Sequence, residues 1–379
     1  MEKSKQAKMK GRVAILIATT FLLIGCVSEA DSRGNSEDTS AEDSIILSAE
    51  SCVMERDHTA DLGIRLSEDE MILSLVQETQ FWEDISVTTS FGIVASISDS
   101  EITRPDYGSF HLTSSEDLMV ASVANTSNED FYYVFKVFVD YEEVPFRLEG
   151  GAEYITELFF FLERGQEVEI VFGLNMELTE ENATYRLTAG IFVDPCRHVI
   201  NEDNYREFDG TSVVLNSDLI FGTGSSIDPL PSSDFEITLR EEDDQFVDLF
   251  IAPELELNNY GFYRMPDFVV QVRRGESIDL SFIVSPQARG IHELENYLIF
   301  GMLNWQQIEL SEQPFLFVDA REYDLDFIRD HGTFTLEGID EVGFYDFTAV
   351  VIPNPTDPAT FANSTPLATS NRFVIHVID

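Results

Sequence analysis

Residues 185–193 read YRLTAGIFV, so that Tyr185, Leu187, Ala189, Ile191 and Val193 alternate with Arg186, Thr188, Gly190 and Phe192. A side-chain period of two belongs to a β-strand, whose successive residues point to opposite faces. The same period recurs on both sides of this stretch. Val168, Ile170 and Phe172 alternate with Glu167 and Glu169, and Ile278, Leu280 and Phe282 alternate with Ser277, Asp279 and Ser281. Further on, Tyr345, Phe347, Ala349 and Val351 alternate with Phe344, Asp346, Thr348 and Val350. Most of these runs predict one buried and one wet face, hence antiparallel sheets joined by turns in a sandwich or barrel.

The strongest break in this pattern is GTGSSIDPLPSSD, from Gly222 to Asp234, where Gly, Ser and Pro cannot sustain a ladder. It divides the strand-rich chain into two modules, each expected to bury its own apolar strand faces. The expected organisation is an N-terminal segment 1–25, a Ser- and acid-rich tether 26–50, a first sandwich with an N-terminal extension 51–222, a linker 223–232 and a second sandwich 233–379. Within the extension, Ser67 with Glu70 fits a capping box before Ile72, Leu75 and Val76, whereas Met71, Leu73 and Leu75 alternate as a strand would. Both readings stay open for residues 45–85. The modules echo each other twice. Residues 162–172 resemble 272–282 at an offset of 110, and Tyr185, Thr188 and Ala189 match Tyr345, Thr348 and Ala349 at an offset of 160; one simple repeat cannot hold both.

Composition narrows the function classes. With 23 Lys and Arg against 70 Asp and Glu among 379 residues, the net charge is −47, which repels phosphate and excludes a nucleic-acid partner. Thirty Phe and 12 Tyr supply ample core material. Lys3, Lys5, Lys8, Lys10 and Arg12 precede an uncharged, mostly apolar run from Val13 to Gly25, too short for a bilayer core of roughly 30 Å and typical of a signal peptide. The run ends in Leu23-Ile24-Gly25-Cys26, which resembles the lipobox of bacterial lipoproteins. That resemblance implies lipid on the Cys26 sulfur, palmitate included, and cleavage before Cys26. A lipid anchor would place the mature chain at the cell membrane, facing outside the cytoplasm. From Val13 onward Lys136 is the one lysine and the other side-chain cations are Arg. Arg keeps its charge where Lys loses its proton, near pH ~10.4, and so negative a chain repels itself unless salt screens it. An exterior that is alkaline, saline or both is therefore expected, the alternative being that the acidity only keeps a surface protein soluble and the lysine scarcity is drift.

The second module resembles an immunoglobulin-type sandwich. Gly343-Phe344-Tyr345 at the entry to a strong strand is similar to the tyrosine corner of that architecture. Residues 277–284, 297–305 and 372–378 would be its B, C and G strands, the C strand carrying Trp305. In the first module, residues 118–124, 131–139, 154–162 and 185–193 are similarly arranged. The expected fold is therefore all-β, two tandem immunoglobulin-like antiparallel β-sandwiches.

Motifs for chemistry are scarce. The sequence contains no GxSxG, P-loop, HExxH, CxxC or EF-hand loop, and His58, His111, His198, His292, His331 and His376 show no paired spacing. No catalytic residue and no enzymatic activity are expected. No cofactor is expected either, although acidic loops at Glu241 to Asp244, at Asn201 to Asn204 and at Asp324, Asp326 and Asp330 carry oxygen ligands of the kind Ca2+ takes. Tyr260, Phe262 and Tyr263, beside Asn258, Asn259 and Gly261, could stack on a sugar. Trp305 reads as packed. Once Cys26 is lipidated, Cys52 and Cys196 remain, either as a disulfide in an oxidising exterior or as two spare thiols. The chain thus reads as a lipid-anchored surface protein presenting β-sandwiches to a protein partner for binding or scaffolding, the alternative being an envelope receptor or accessory module for a glycan or small solute.

Overall fold

The structure is a computed structural model that describes residues 62, 89–98, 101–104, 109–114, 116–125, 130–175, 183–198, 212–221, 237–241, 249–253, 256–257, 263–264, 268–284, 296–319, 328–355 and 367–379. All of them belong to one compact unit, Ser40–Asp379, and every regular element among them is a β-strand. The first module runs through β1 (Thr89–Ser98), β2 (Glu101–Thr103), β3 (Ser109–Leu112), β4 (Leu118–Asn125), β5 (Phe131–Val139), β6 (Glu142–Glu143), β7 (Phe146–Leu148), β8 (Leu158–Leu162), β9 (Glu167–Leu174), β10 (Ala183–Val193) and β11 (Val213–Phe221). The second begins with β12 (Ile237–Glu241), β13 (Leu249–Ala252), β14 (Glu256–Leu257), β15 (Tyr263–Arg264), β16 (Val269–Arg273) and β17 (Ile278–Val284). It continues with β18 (Asn296–Leu303), β19 (Gln306–Ile308), β20 (Leu316–Asp319), β21 (Ile328–Leu336), β22 (Gly343–Pro353), β23 (Ala368–Thr369) and β24 (Phe373–Ile378).

Each module is a sandwich of two sheets. The first packs β2-β1-β4-β9-β7 against β3-β11-β10-β5-β6, with β8 also paired to β5. The second packs β12-β21-β17-β13 against β16-β24-β22-β18-β19, with β20 on β18 and β23 on β22. One core fills the first sandwich, including Phe135, Phe146, Ile170, Phe172 and Leu187; another fills the second, including Leu280, Phe282, Phe347 and Ile375. In both modules a short strand pairs parallel with the last long one, β3 with β11 and β16 with β24. Tyr345 occupies the start of β22, and its Oη donates to the Glu341 carbonyl at 3.0 Å, the backward bond that defines a tyrosine corner.

Topology decides between the two echoes. Strand β10 lies between β11 and β5 as β22 lies between β24 and β18, and Leu187 opposes Val139 as Phe347 opposes Leu303. The match of Tyr185, Thr188 and Ala189 to Tyr345, Thr348 and Ala349 therefore superposes equivalent strands. The echo of 162–172 in 272–282 does not, because it sets β9 against β17, whose topological counterpart is β4. Its source is local. Gly165 and Gly275 both close tight turns at φ near +75° (74° and 72°), a conformation that glycine adopts without penalty.

Three other expectations are corrected by the sheets. The strand read over 154–162 is regular only from Leu158. Trp305 lies beyond the end of β18, in the turn to β19. Alternation of a wet and a dry face holds on β9 and β17, where Glu167, Glu169, Asp279 and Ser281 stay at least partly exposed. It fails on β10 and β22, where eight consecutive residues are buried. Their second face is covered by the other module.

Candidate functional site: the seam between the sandwiches

A third apolar layer joins the modules. From the first come Val134, Phe138, Tyr141, Phe159, Phe192, Cys196 and Val214, on the outer face of the β5–β10 sheet. From the second come, among others, Leu298, Phe300, Met302, Trp305, Phe317 and Ile352, on the equivalent face of the β18–β22 sheet. Phe138 meets Phe300 at 4.7 Å between ring centroids, Phe192 meets Trp305 at 5.2 Å, and Tyr141 meets Phe315 at 5.9 Å. Backbone crosses the seam as well, the Leu367 N–H donating to the Val214 carbonyl at 2.9 Å.

Two matched turns place the key aromatics. Asp140-Tyr141 joins β5 to β6 and Asn304-Trp305 joins β18 to β19, and all four residues have positive φ, 49° and 68° in the first turn and 47° and 69° in the second. Two-residue hairpins of this kind favour Asn-Gly or Asp-Gly, and a bulky side chain held there costs of order 1–3 kcal/mol. Each turn is braced in the same way. The Asp140 N–H donates to the Arg186 carbonyl and its Oδ1 accepts from the Arg186 N–H, both at 2.8 Å; Asn304 does the same with Asp346 at 2.8 and 2.9 Å. Each aromatic then reaches across. Tyr141 Oη donates to the Pro355 carbonyl at 3.3 Å and Trp305 Nε1 donates to the Pro195 carbonyl at 2.7 Å.

Charged groups are drawn into the seam and partnered there. The Arg372 guanidinium lies over the Trp305 ring at 4.7 Å, donates to the carbonyls of Val193, Asp194 and Arg197 at 2.7–3.2 Å, and sits 3.5 Å from Asp346 Oδ2. The same carboxylate oxygen is 2.7 Å from His198 Nδ1, so His198 of the first module and Arg372 of the second share it. On the other side Lys136, fully buried, donates to Glu143 Oε1 at 2.5 Å with Glu157 at 3.9 Å. Buried charges of this kind are tolerated when paired and hydrogen-bonded, and removing one partner strands the other. Burial also pushes the Tyr133 phenol up to about 12 and raises that of Tyr141 further, against the pull of Arg186. Asp218 is raised by burial and drawn back by the same Arg186.

The chemistry of this layer is adhesion between two sheets of one chain. Among the described residues no group of three or more His, Cys, Asp or Glu is gathered as metal ligands. Cys196 lies in the seam and is disulfide-bonded. Its partner is outside the described residues, as are Cys26, Cys52, Tyr260, Phe262, the linker 223–232, residues 201–204, and Asp324 and Asp326. Of Tyr263, Glu241 and Asp330 only the backbone, in β15, β12 and β21, is described. Trp305 is packed as expected, but in the seam. Sequence reasoning missed His198, Arg372, Tyr141 and Lys136 as partners. The signal that could have found the layer is the near-unbroken apolar run FYYVFKVFV at 131–139, since strands covered on both faces lose their alternation.

No family model and no curated protein matches the chain. Among solved structures it is similar to the C-terminal domain of the Streptococcus pyogenes antigen I/II-family protein AspA, at 10% identity and a TM-score of 0.20, over 77% of this chain and 100% of that one. The C-terminal domain of the Streptococcus agalactiae AgI/II polypeptide BspA matches at 9% identity and a TM-score of 0.20, over 76% and 99%. The E. coli chaperone DraB matches at 11% identity and a TM-score of 0.24, over 76% and 97%. Similarity at this level bears on neither activity nor partner.

Proposed function

We propose that the chain is a lipid-anchored surface protein facing outside the cytoplasm, which presents a fused pair of β-sandwiches for non-catalytic binding or scaffolding. The observation that carries this reading is the seam. Among the described residues, the buried charged and imidazole side chains at the seam (His198, Asp346, Arg372, Lys136 and Glu143) are engaged with one another and with backbone groups between the two sheets, where they hold a body together. Two further features support the placement. Cys196 is in a disulfide, a bond that persists in oxidising exteriors. The Leu23 to Cys26 lipobox supplies the anchor, and two acyl chains hold a protein stably at a membrane.

The test is metabolic palmitate labelling with detergent-phase partition of the full chain and of Cys26→Ser. The full chain should carry label and partition with detergent, and Cys26→Ser should lose both. Normal labelling of Cys26→Ser would overturn the anchor. A glycan array probed with the full chain and with Tyr263→Ala tests the binding class; retention on a sugar that Tyr263→Ala abolishes would replace scaffolding with glycan capture.

A further inference from the structure

The seam is an isologous contact written twice in one chain. Register in the two sheets equates Tyr141 with Trp305, Pro195 with Pro355, Lys136 with Phe300 and Glu143 with Gln307. The crossing bonds obey that equivalence, Tyr141 reaching Pro355 while Trp305 reaches Pro195. At the centre the relation is reciprocal. The Glu143 N–H donates to Gln307 Oε1 at 2.6 Å, and the Gln307 N–H donates to Glu143 Oε2 at 2.8 Å. A pseudo-two-fold axis therefore passes between Glu143 and Gln307. In a true two-fold contact each residue near the axis meets its own copy.

The geometry points to a recognition surface that takes the unlike module and rejects its own kind, with Lys136, Glu143, Phe300 and Gln307 as the residues that specify the choice. In the observed pairing one carboxylate meets one neutral amide. Glu143 spends Oε2 on the Gln307 N–H and Oε1 on Lys136, so its charge is matched. Phe300, which stands where Lys136 does, leaves its side free to pack on Phe138. A first module meeting a second copy of itself would set Glu143 against Glu143 at the axis. It would also set Phe138 against a lysine. Like charges brought together across an interface repel, and a built-in repulsion of this sort is how specific contacts exclude near-identical partners. The partner that fits the first module's face is thus the second module's face, and on a membrane carrying many copies the chain closes on itself.

Exchange of the four residues across the axis tests this in the full chain, by chemical denaturation with size-exclusion chromatography and light scattering. Phe300→Lys with Gln307→Glu places Lys and Glu on both sides, like against like, and should lower the folding equilibrium constant most. Adding Lys136→Phe and Glu143→Gln to that chain restores one charged and one neutral side with their places exchanged. It should recover at least tenfold over the first variant despite carrying twice the substitutions, as a monomer. If the fully exchanged chain is no more stable than Phe300→Lys with Gln307→Glu, or if neither folds, the substitutions simply accumulate damage and the pairing code is refuted.

Discussion

Truncation of Phe138 to Ala isolates the contribution of the seam. Phe138 is fully buried on β5, but its ring belongs to the layer between the modules and packs on Phe300 at 4.7 Å, leaving both sandwich cores untouched. Removing a buried Phe side chain costs about 3–5 kcal/mol, the ring–ring contact included. For a cooperative unit of this size, roughly 2 °C of Tm is lost per kcal/mol, so a drop of about 6–10 °C is expected. Differential scanning calorimetry of the full chain should show one transition for wild type and for Phe138→Ala. Hydrogen exchange should accelerate on both sides of the seam, at Val350 and Ile352 of β22 as well as on β5. Two well-separated transitions in the wild type, or a Phe138→Ala shift under about 1 °C, would show that the sandwiches fold independently and that the seam is a passive contact.

Three further outcomes follow from buried groups. Tyr133 titrates near 12 when folded and near 10 when unfolded, so its contribution is complete below pH ~10 and fades as pH rises towards 12, by about 1.4 kcal/mol per pH unit; urea melts from pH 8 to 11.5 should show this slope flattened in Tyr133→Phe, and an unchanged slope would refute it. Peptide mapping without reductant should recover Cys196 joined to Cys52, and Cys196→Ser should lose about 2–4 kcal/mol; a Cys26–Cys196 peptide would refute both the pairing and the anchor. Lys136, the one lysine after residue 12, should resist amine-reactive reagents in the native chain and label only on unfolding, as mass spectrometry of timed samples would record; rapid labelling at native pH would place it outside the seam.

What the sequence disclosed depended on what covers each strand. On β9 the pattern Val168, Ile170 and Phe172 against Glu167 and Glu169 is legible because one face meets the core and the other meets water. On β10 and β22 the same inward positions were legible, but the outward ones, Phe192 and Val350 among them, are covered by a sandwich 160 residues away in sequence, and no local period reports that. The two turns were opaque for a related reason. Asp-Tyr and Asn-Trp are poor hairpin turns by local chemistry; braces to Arg186 and Asp346 within each module, and Pro carbonyls and rings on the opposite sheet, hold Tyr141 and Trp305 at positive φ. Tyr345 was legible because its bond closes within four residues, to Glu341. His198, Asp346 and Arg372 are brought together from three distant strand ends, and isolated polar letters carry no sign of such a meeting.

A lone module of this kind would expose Val134, Phe138, Tyr141, Phe159 and Phe192 together, a continuous apolar face of the sort that drives association. Doubling the module within one chain covers that face with its counterpart and needs no second molecule. The cover brings strain at two aromatic turns and buries several charges, each of which must find its partner across or beside the seam. In return both wet sheets point outward, lined by residues such as Glu167, Glu169 and Asp279. The β5–β10 and β18–β22 faces are spent on each other, so any docking partner would have to engage the remaining surfaces. With 70 acidic residues against 23 basic ones in the chain, a partner steered to those outer sheets would be basic or bridged by cations, and its association rate would fall as salt rises.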